Sequence, residues 1–184
     1  VDEAHNLVDR SRDMYSSFVS YESFLAAKKS MRHSKHLKIK RAFTKLNKMF
    51  KELMEGKEPG QYILDHYPAE IEDPLVYLVN TCQDINKNEH KEMTDELLDF
   101  YLEVNEFVKI SDFYGDKYKL YLDILADTMN IRMMCLDASS FLARTLRNIK
   151  GAVFFSATLQ PIEYYIDTLG GEKSSDPHLI LPSP

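Results

Sequence analysis

Lys38-Ile39-Lys40-Arg41-Ala42-Phe43-Thr44-Lys45-Leu46-Asn47-Lys48-Met49-Phe50-Lys51-Glu52-Leu53 is the stretch whose pattern decides the fold of this chain. Ile39, Phe43, Leu46, Phe50 and Leu53 recur at spacings of three and four, which makes one apolar stripe of a helix ending near Gly56. An amphipathic helix must bury its stripe against neighbours, and the sequence supplies them on both sides. Upstream, Asn6 to Tyr15 reads as a helix with Leu7, Val8 and Met14 as apolar contacts, and Tyr21 to Met31 as a second, burying Phe24 and Leu25. Downstream, Gly56 to Pro68 contains Pro59-Gly60 and reads as a loop. Asp73-Pro74 then sets a helix start, with Leu75, Leu78, Val79, Cys82 and Ile85 on one side. A break at Asn86 to Glu89 leads to a further helix carrying Leu97, Phe100, Tyr101, Val104 and Phe107. Four or five such helices predict a mainly α chain built as an antiparallel helical bundle.

Past this point the period changes. Val108 to Tyr114, a turn at Gly115-Asp116, and Tyr118 to Leu125 read as a β-hairpin, because Tyr118, Leu120, Leu122 and Ile124 alternate with Lys119, Tyr121 and Asp123. Ile131 to Leu136 follows as a third strand, giving a small antiparallel β-meander; a helix through Leu120 to Met129 is the alternative. Asp137 caps a helix that buries Phe141, Leu142 and Leu146. The apolar run Gly151-Ala152-Val153-Phe154-Phe155 ends in Ser156-Ala157-Thr158-Leu159 and reads as a buried strand feeding a helix. Pro161 suits the first turn of that helix and Gly170-Gly171 its end.

A length of 184 residues allows one domain with a real core and a stub of another. No apolar run has the length of a membrane span and the two cysteines suit a reducing compartment, so no membrane partner and a cytoplasmic setting are expected. Cys82 and Cys135 have no metal-ligand spacing and read as small apolar packing residues. The net charge is −6, yet Lys28 to Lys51 holds ten basic residues and no acidic one, which leaves −16 for the rest. Lys38, Arg41, Lys45 and Lys48 line the helix face opposite the apolar stripe. Such a stripe can follow a nucleic-acid backbone through phosphate contacts, or be a solvated face. Tyr62, Tyr67 and Tyr114 could stack bases, although core or rim packing suits most of the tyrosines.

The two ends carry the motifs. Val1-Asp2-Glu3-Ala4-His5-Asn6-Leu7 contains Asp-Glu-Ala-His, and Ser-Ala-Thr stands at 156–158. Together and in this order they resemble the DEAH box and the third motif of superfamily 2 helicases. In most such proteins the two motifs sit on neighbouring strands with a short connection. Here 150 residues separate His5 from Ser156, the length of a whole domain. The arrangement, with Met134-Cys135-Leu136-Asp137-Ala138-Ser139 before the second motif, resembles the XPD/DinG family of DNA helicases, whose Arch domain is inserted at this point. The match covers only the two ends.

The resemblance implies a stub of a RecA-like α/β lobe at 1–10, an Arch-type insertion at 11–135, and a return to the lobe at 136–184. It implies ATP and Mg²⁺ as the parent's ligands. Asp2 would hold the metal through water, Glu3 would act on the attacking water, and His5 would relay the nucleotide state. Ser156 and Thr158 would couple the carboxylates to the nucleic-acid side of the lobe. Single-stranded DNA, the remaining helicase lobes and a protein docked on the Arch are the implied partners. No Gly-Lys-Ser/Thr phosphate loop occurs in the chain, and it opens directly on a motif. We therefore expect an excised piece that binds no nucleotide alone and is inactive as an ATPase. An iron–sulfur site of the parent would lie upstream. A protein-docking helical module, or an unrelated helical domain, are the competing readings.

Overall fold

The computed structural model describes residues 1–88 and 93–181. It is a mixed α/β chain with a helical majority, about 51% helix, and a small four-stranded antiparallel sheet. It divides into two units, one of Ser16–Met134 and one of Val1–Tyr15 with Cys135 onward.

In chain order the elements are α1 (Leu7–Met14), β1 (Ser17–Ser20), α2 (Tyr21–Ser30), α3 (Leu37–Met54) and β2 (Gly60–Leu64). There follow α4 (Ala69–Asn88), α5 (Asp95–Ser111), β3 (Tyr118–Ile124), β4 (Met129–Cys135), α6 (Ser139–Leu146) and α7 (Ile162–Thr168). A short 3₁₀ turn, Ala4–Asn6, precedes α1.

Within Ser16–Met134, α3 packs on α4, and α5 packs on both α2 and α4. The stripe of α3 is buried as its spacing predicts, with Ile39, Phe43, Leu46 and Phe50 inside. Phe24 of α2 is the hub: its ring lies 6.0 Å from Phe43, 5.2 Å from Phe50 and 5.9 Å from Phe100. Side-chain caps fix two helix starts. Ser20 accepts from the backbone N–H groups of Glu22 and Ser23 at α2, and Thr94 from Leu97 at α5.

The sheet has the order β1-β4-β3-β2. Ser17 pairs with Met133 and Ser20 with Asn130. Gly60 pairs with Ile124 and Leu64 with Leu120. Tyr118, Leu120, Leu122 and Ile124 face inward, as do Met129, Ile131, Met133 and Cys135. β1 lies against α5. Both cysteines are buried and free, and burial pushes the Cys82 thiol up to about 12.

Several expectations are corrected. Val108 to Ser111 is not a strand; Ile110 continues the inward row Leu97, Phe100, Val104, Phe107 at helical spacing. The partners of β3 are β4 and β2, and the helical alternative at Leu120 to Met129 is absent. β2 occupies the segment expected to be a loop. α4 begins at Ala69, because the Pro68 carbonyl accepts from Ile71 at 3.0 Å and Glu72 at 3.2 Å. Pro74 therefore sits inside the helix, early enough to forfeit only one bond. The expected break at Asn86 to Glu89 falls partly in α4, which runs to Asn88, and partly outside the described residues. Leu25 is exposed, since it lies on the flank of α2 away from α5.

In the other unit, the Asp137 carboxylate accepts from the Ser139 N–H at 2.8 Å, so it does serve the start of α6. Phe141, Leu142 and Leu146 are only half-buried. Phe141 stacks on Tyr15 with ring centres 4.2 Å apart. Gly170 closes α7 with φ +80°; its N–H reaches the Asp167 carbonyl, and that of Gly171 reaches Ile166. This is a Schellman ending. A methyl group at Gly170 would lie 2.5 Å from the Ala143 nitrogen and 2.6 Å from the Ser139 carbonyl. Glycine is needed there both for its dihedral angle and for close approach to α6.

Candidate functional site

The site lies wholly within the unit of Val1–Tyr15 and Cys135 onward. The Val1 amino group donates to the Val153 carbonyl at 2.6 Å, and the Phe155 N–H donates to the Val1 carbonyl at 3.1 Å. That alternation, one residue bonded to two residues flanking its neighbour, is the parallel-strand pattern. The Ala4 N–H then donates to the Phe155 carbonyl at 3.1 Å. Val153 and Phe155 themselves are exposed, contrary to the expected buried strand. A single neighbouring segment bonds the Val153 carbonyl and both backbone groups of Phe155 but leaves their side chains uncovered.

This pairing aligns the two motifs. The Nδ1 of His5 lies 2.8 Å from the Ser156 hydroxyl, which is 3.2 Å from Glu3 Oε2. The Thr158 N–H donates to the same hydroxyl oxygen at 3.2 Å, and the Thr158 hydroxyl lies 3.2 Å from it. A serine hydroxyl offers one hydrogen and two lone pairs. With hydrogen on His5 Nδ1, every place is used: His5 and the Thr158 N–H donate to Ser156, and Ser156 donates to Glu3. We assign that tautomer from the network. His5 Nδ1 is also 3.1 Å from Glu3 Oε2, where Glu3 is 61% exposed. A contact so open to water contributes at most about 1 kcal/mol. The specificity of the cluster comes from the hydroxyl geometry.

Glu3 adopts φ 48°, ψ 46°, the left-handed region that side chains disfavour. Such a residue costs roughly 1–2 kcal/mol. The bend directs the chain from the paired segment into the 3₁₀ turn. Asp2 stands beside it, and its Oδ1 accepts from the Glu3 N–H at 2.8 Å. Its other oxygen has no partner among the described residues. No group of three or more His, Cys, Asp and Glu that could hold a metal occurs among the described residues. A magnesium ion held chiefly by phosphates and water needs no such cage. The adjoining cavity, about 70 Å³ and lined by Val1, Asp2, Glu3, Asn6, Leu7 and Arg10, is far below the roughly 300–1,000 Å³ of small-molecule sites.

The basic stripe lies elsewhere, on α3, and three of its four members have intramolecular partners. Lys38 pairs with Asp84 of α4 at 3.1 Å and Lys48 with Glu52 at 3.7 Å. The Lys45 ammonium sits 4.4 Å from the centre of the Tyr77 ring. Arg41 has no such partner among the described residues. Tyr67 and Tyr114, weighed as base-stacking groups, pack with Phe107 and Tyr118 instead. Burial raises the pKa of Tyr67. Gly170, read in the sequence as a helix end, also seats α7 against α6, and Phe141, read as a buried helix residue, stacks on Tyr15. No helix among the described residues is long and apolar enough to cross a membrane. No protein-family model matches the chain, and no curated protein does.

Proposed function

We propose that this chain is a segment of an ATP-dependent, XPD/DinG-type superfamily 2 DNA helicase. Val1–Tyr15 and the residues from Cys135 would belong to a RecA-like motor lobe, and Ser16–Met134 would be its Arch-type insertion. The observation that carries this reading is the Ser156 hydroxyl between His5 and Glu3, across 150 intervening residues. A coincidental pair of motifs in an unrelated helical domain would have no reason to meet. The free oxygen of Asp2 suits a contact to the water shell of a nucleotide-bound Mg²⁺, whose role would be to neutralise phosphate charge. Glu3 would orient a water molecule. His5 and Ser156 would pass a shift of that carboxylate to Thr158 and the strand end beyond.

The chain alone carries no phosphate loop in its sequence, so purified by itself it should show no Mg²⁺-dependent ATP hydrolysis. Measurable turnover would refute the division of labour. In a longer protein carrying the phosphate loop, Glu3→Gln should abolish turnover and spare nucleotide binding. Ser156→Ala should leave basal hydrolysis and reduce its stimulation by DNA. Wild-type stimulation in Ser156→Ala would remove the coupling role.

A further inference from the structure

The basic residues between Lys28 and Lys51 face two different ways. Lys38, Lys45 and Lys48 occupy the α4 side of α3, where Asp84, Tyr77 and Glu52 already engage them. The opposite flank of α3 carries Lys40, Thr44, Asn47 and Lys51, three or four residues apart and hence in one row. That row borders α2. Lys28 of α2 donates to the Asn47 side-chain oxygen at 2.8 Å, and Tyr21 of α2 lies 5.1 Å from Phe50. On α2 itself, Tyr21, Leu25 and Lys28 share the flank whose members reach Asn47 and Phe50, and Arg32 stands exposed in the turn just after the helix.

Between α2 and α3 there is therefore a seam with cations on both banks and an apolar floor of Phe24, Phe43 and Phe50. Arg32, Lys40 and Lys51 are exposed and make no ion pair or side-chain hydrogen bond among the described residues. The only carboxylates on the two helices are Glu22, at the outer start of α2, and Glu52, on the α4 side of α3 beside Lys48. Lys40 and Lys51 are eleven residues apart, about 16 Å along the helix axis.

We propose that this α2–α3 seam, rather than the Lys38–Lys48 row, is the surface of Ser16–Met134 that holds a single-stranded nucleic acid. Arg32, Lys40 and Lys51 contact successive phosphates, and half-buried Tyr21 and exposed Leu25 offer apolar surface to the bases. Charge complementarity selects the ligand. The seam is a narrow positive track on a chain of net charge −6, which an anionic membrane surface would repel as a whole. A row already paired with its own carboxylates and ring must give up those contacts to bind phosphate; the seam gives up nothing. The choice of ligand rests on the helicase reading above. The geometry does not, and the test below needs neither ATP nor the DEAH motif, so the two can fail separately.

The experiment is fluorescence anisotropy of a labelled oligo-dT with the full 184-residue chain, across a salt series beginning at low ionic strength. Two triple variants remove the same charge: Arg32→Gln, Lys40→Gln, Lys51→Gln in the seam, and Lys38→Gln, Lys45→Gln, Lys48→Gln in the row. Lys28 is left in place because it holds Asn47. The seam variant should lose about tenfold or more in affinity, and its log–log salt slope should fall by about 2, three contacts at about 0.7 each. The row variant should stay within about threefold of the unsubstituted chain, its loss reflecting only overall charge. Equal losses, a greater loss in the row variant, or no binding by the unsubstituted chain at low salt would overturn the assignment. So would polyglutamate bound as tightly as oligo-dT, which would make an acidic protein segment the occupant. Matching thermal melts for the two variants exclude misfolding as the cause of the difference.

Discussion

Ser16–Met134 and the unit of Val1–Tyr15 with Cys135 onward are held together differently. The first buries a continuous apolar core, including four fully enclosed phenylalanines, Phe24, Phe50, Phe100 and Phe107. The second buries mainly small residues, among them Ala4, Ser11, Cys135 and Ala138, and leaves Val153, Phe155, Ile149 and Leu179 exposed. Its order comes from backbone pairing, a glycine ending and a saturated hydroxyl. Apolar burial tolerates inexact geometry, whereas a hydrogen-bonded cluster does not.

The contrast can be broken first at the core. Phe100→Ala should cost about 3–5 kcal/mol, because the cavity lies among Phe24 and its neighbours where α2 and α5 pack. Denaturant unfolding followed by probes within Ser16–Met134 would show it. A loss below about 1 kcal/mol would mean the core is not close-packed there.

Gly170→Ala applies the same test to the other unit, without touching a hydrophobic contact. The left-handed dihedral and the 2.5 Å approach to Ala143 make about 2 kcal/mol a reasonable expectation. Amide exchange in α6 and α7 should quicken while α3 to α5 stay protected. Unchanged exchange in α7 would show that its seat on α6 does not depend on this glycine.

The smallest effect concerns a polar group within the apolar unit. Glu103 of α5 accepts from the Ser20 N–H at 2.7 Å and the Ser23 hydroxyl at 3.1 Å, tying α5 to the start of α2. Burial raises its pKa, more than those two hydrogen bonds lower it. A carboxyl whose folded pKa is raised contributes stability that is fully present below its unfolded pKa and is lost as pH rises through the folded one. Unfolding curves from pH 4 to pH 8 should therefore show wild type losing ground to Glu103→Gln as pH rises. Glutamine keeps the acceptor for Ser20 without the charge. A constant difference across that range would show that Glu103 titrates as it does in water.

Much of the helical frame could be read from periodicity, and the failures have physical causes. The stripe from Ile39 to Leu53 spans several turns, enough to define one face without ambiguity. Val108 and Ile110 alternate as strand residues do, but they also extend the row from Leu97, and a helix already under way claims them. β2 is five residues between turn signals, and only its pairing with β3, some sixty residues later, makes it a strand. Pro74 looked like a start because the N–H it lacks seemed to require one. At the site, the two motifs could be read in the sequence, but the contact between His5 and Ser156 could not, because it depends on how the backbones of the two segments pair. The strained Glu3 and the tight seat of Gly170 are properties of backbone geometry, which residue identity alone does not encode. The two flanks of α3 looked alike as charge; the Asp84 carboxylate and the Tyr77 ring brought in by α4 distinguish them.

The pairing of Ser17 with Met133 also bears on how the chain assembles. Joining Ala4 to Phe155 in an unfolded chain means closing a loop of 150 residues. Once β1 and β4 have zipped, the two ends of Ser16–Met134 stand side by side, and the remaining free chain is several-fold shorter. Because each doubling of loop length costs about 0.6 kcal/mol, this lowers the closure entropy by roughly 1–2 kcal/mol. Pulse-labelled exchange should accordingly protect Val19 and Ile131 before Ala4, so that the folding of Ser16–Met134 precedes the pairing of Val1 and Ala4 with Val153 and Phe155.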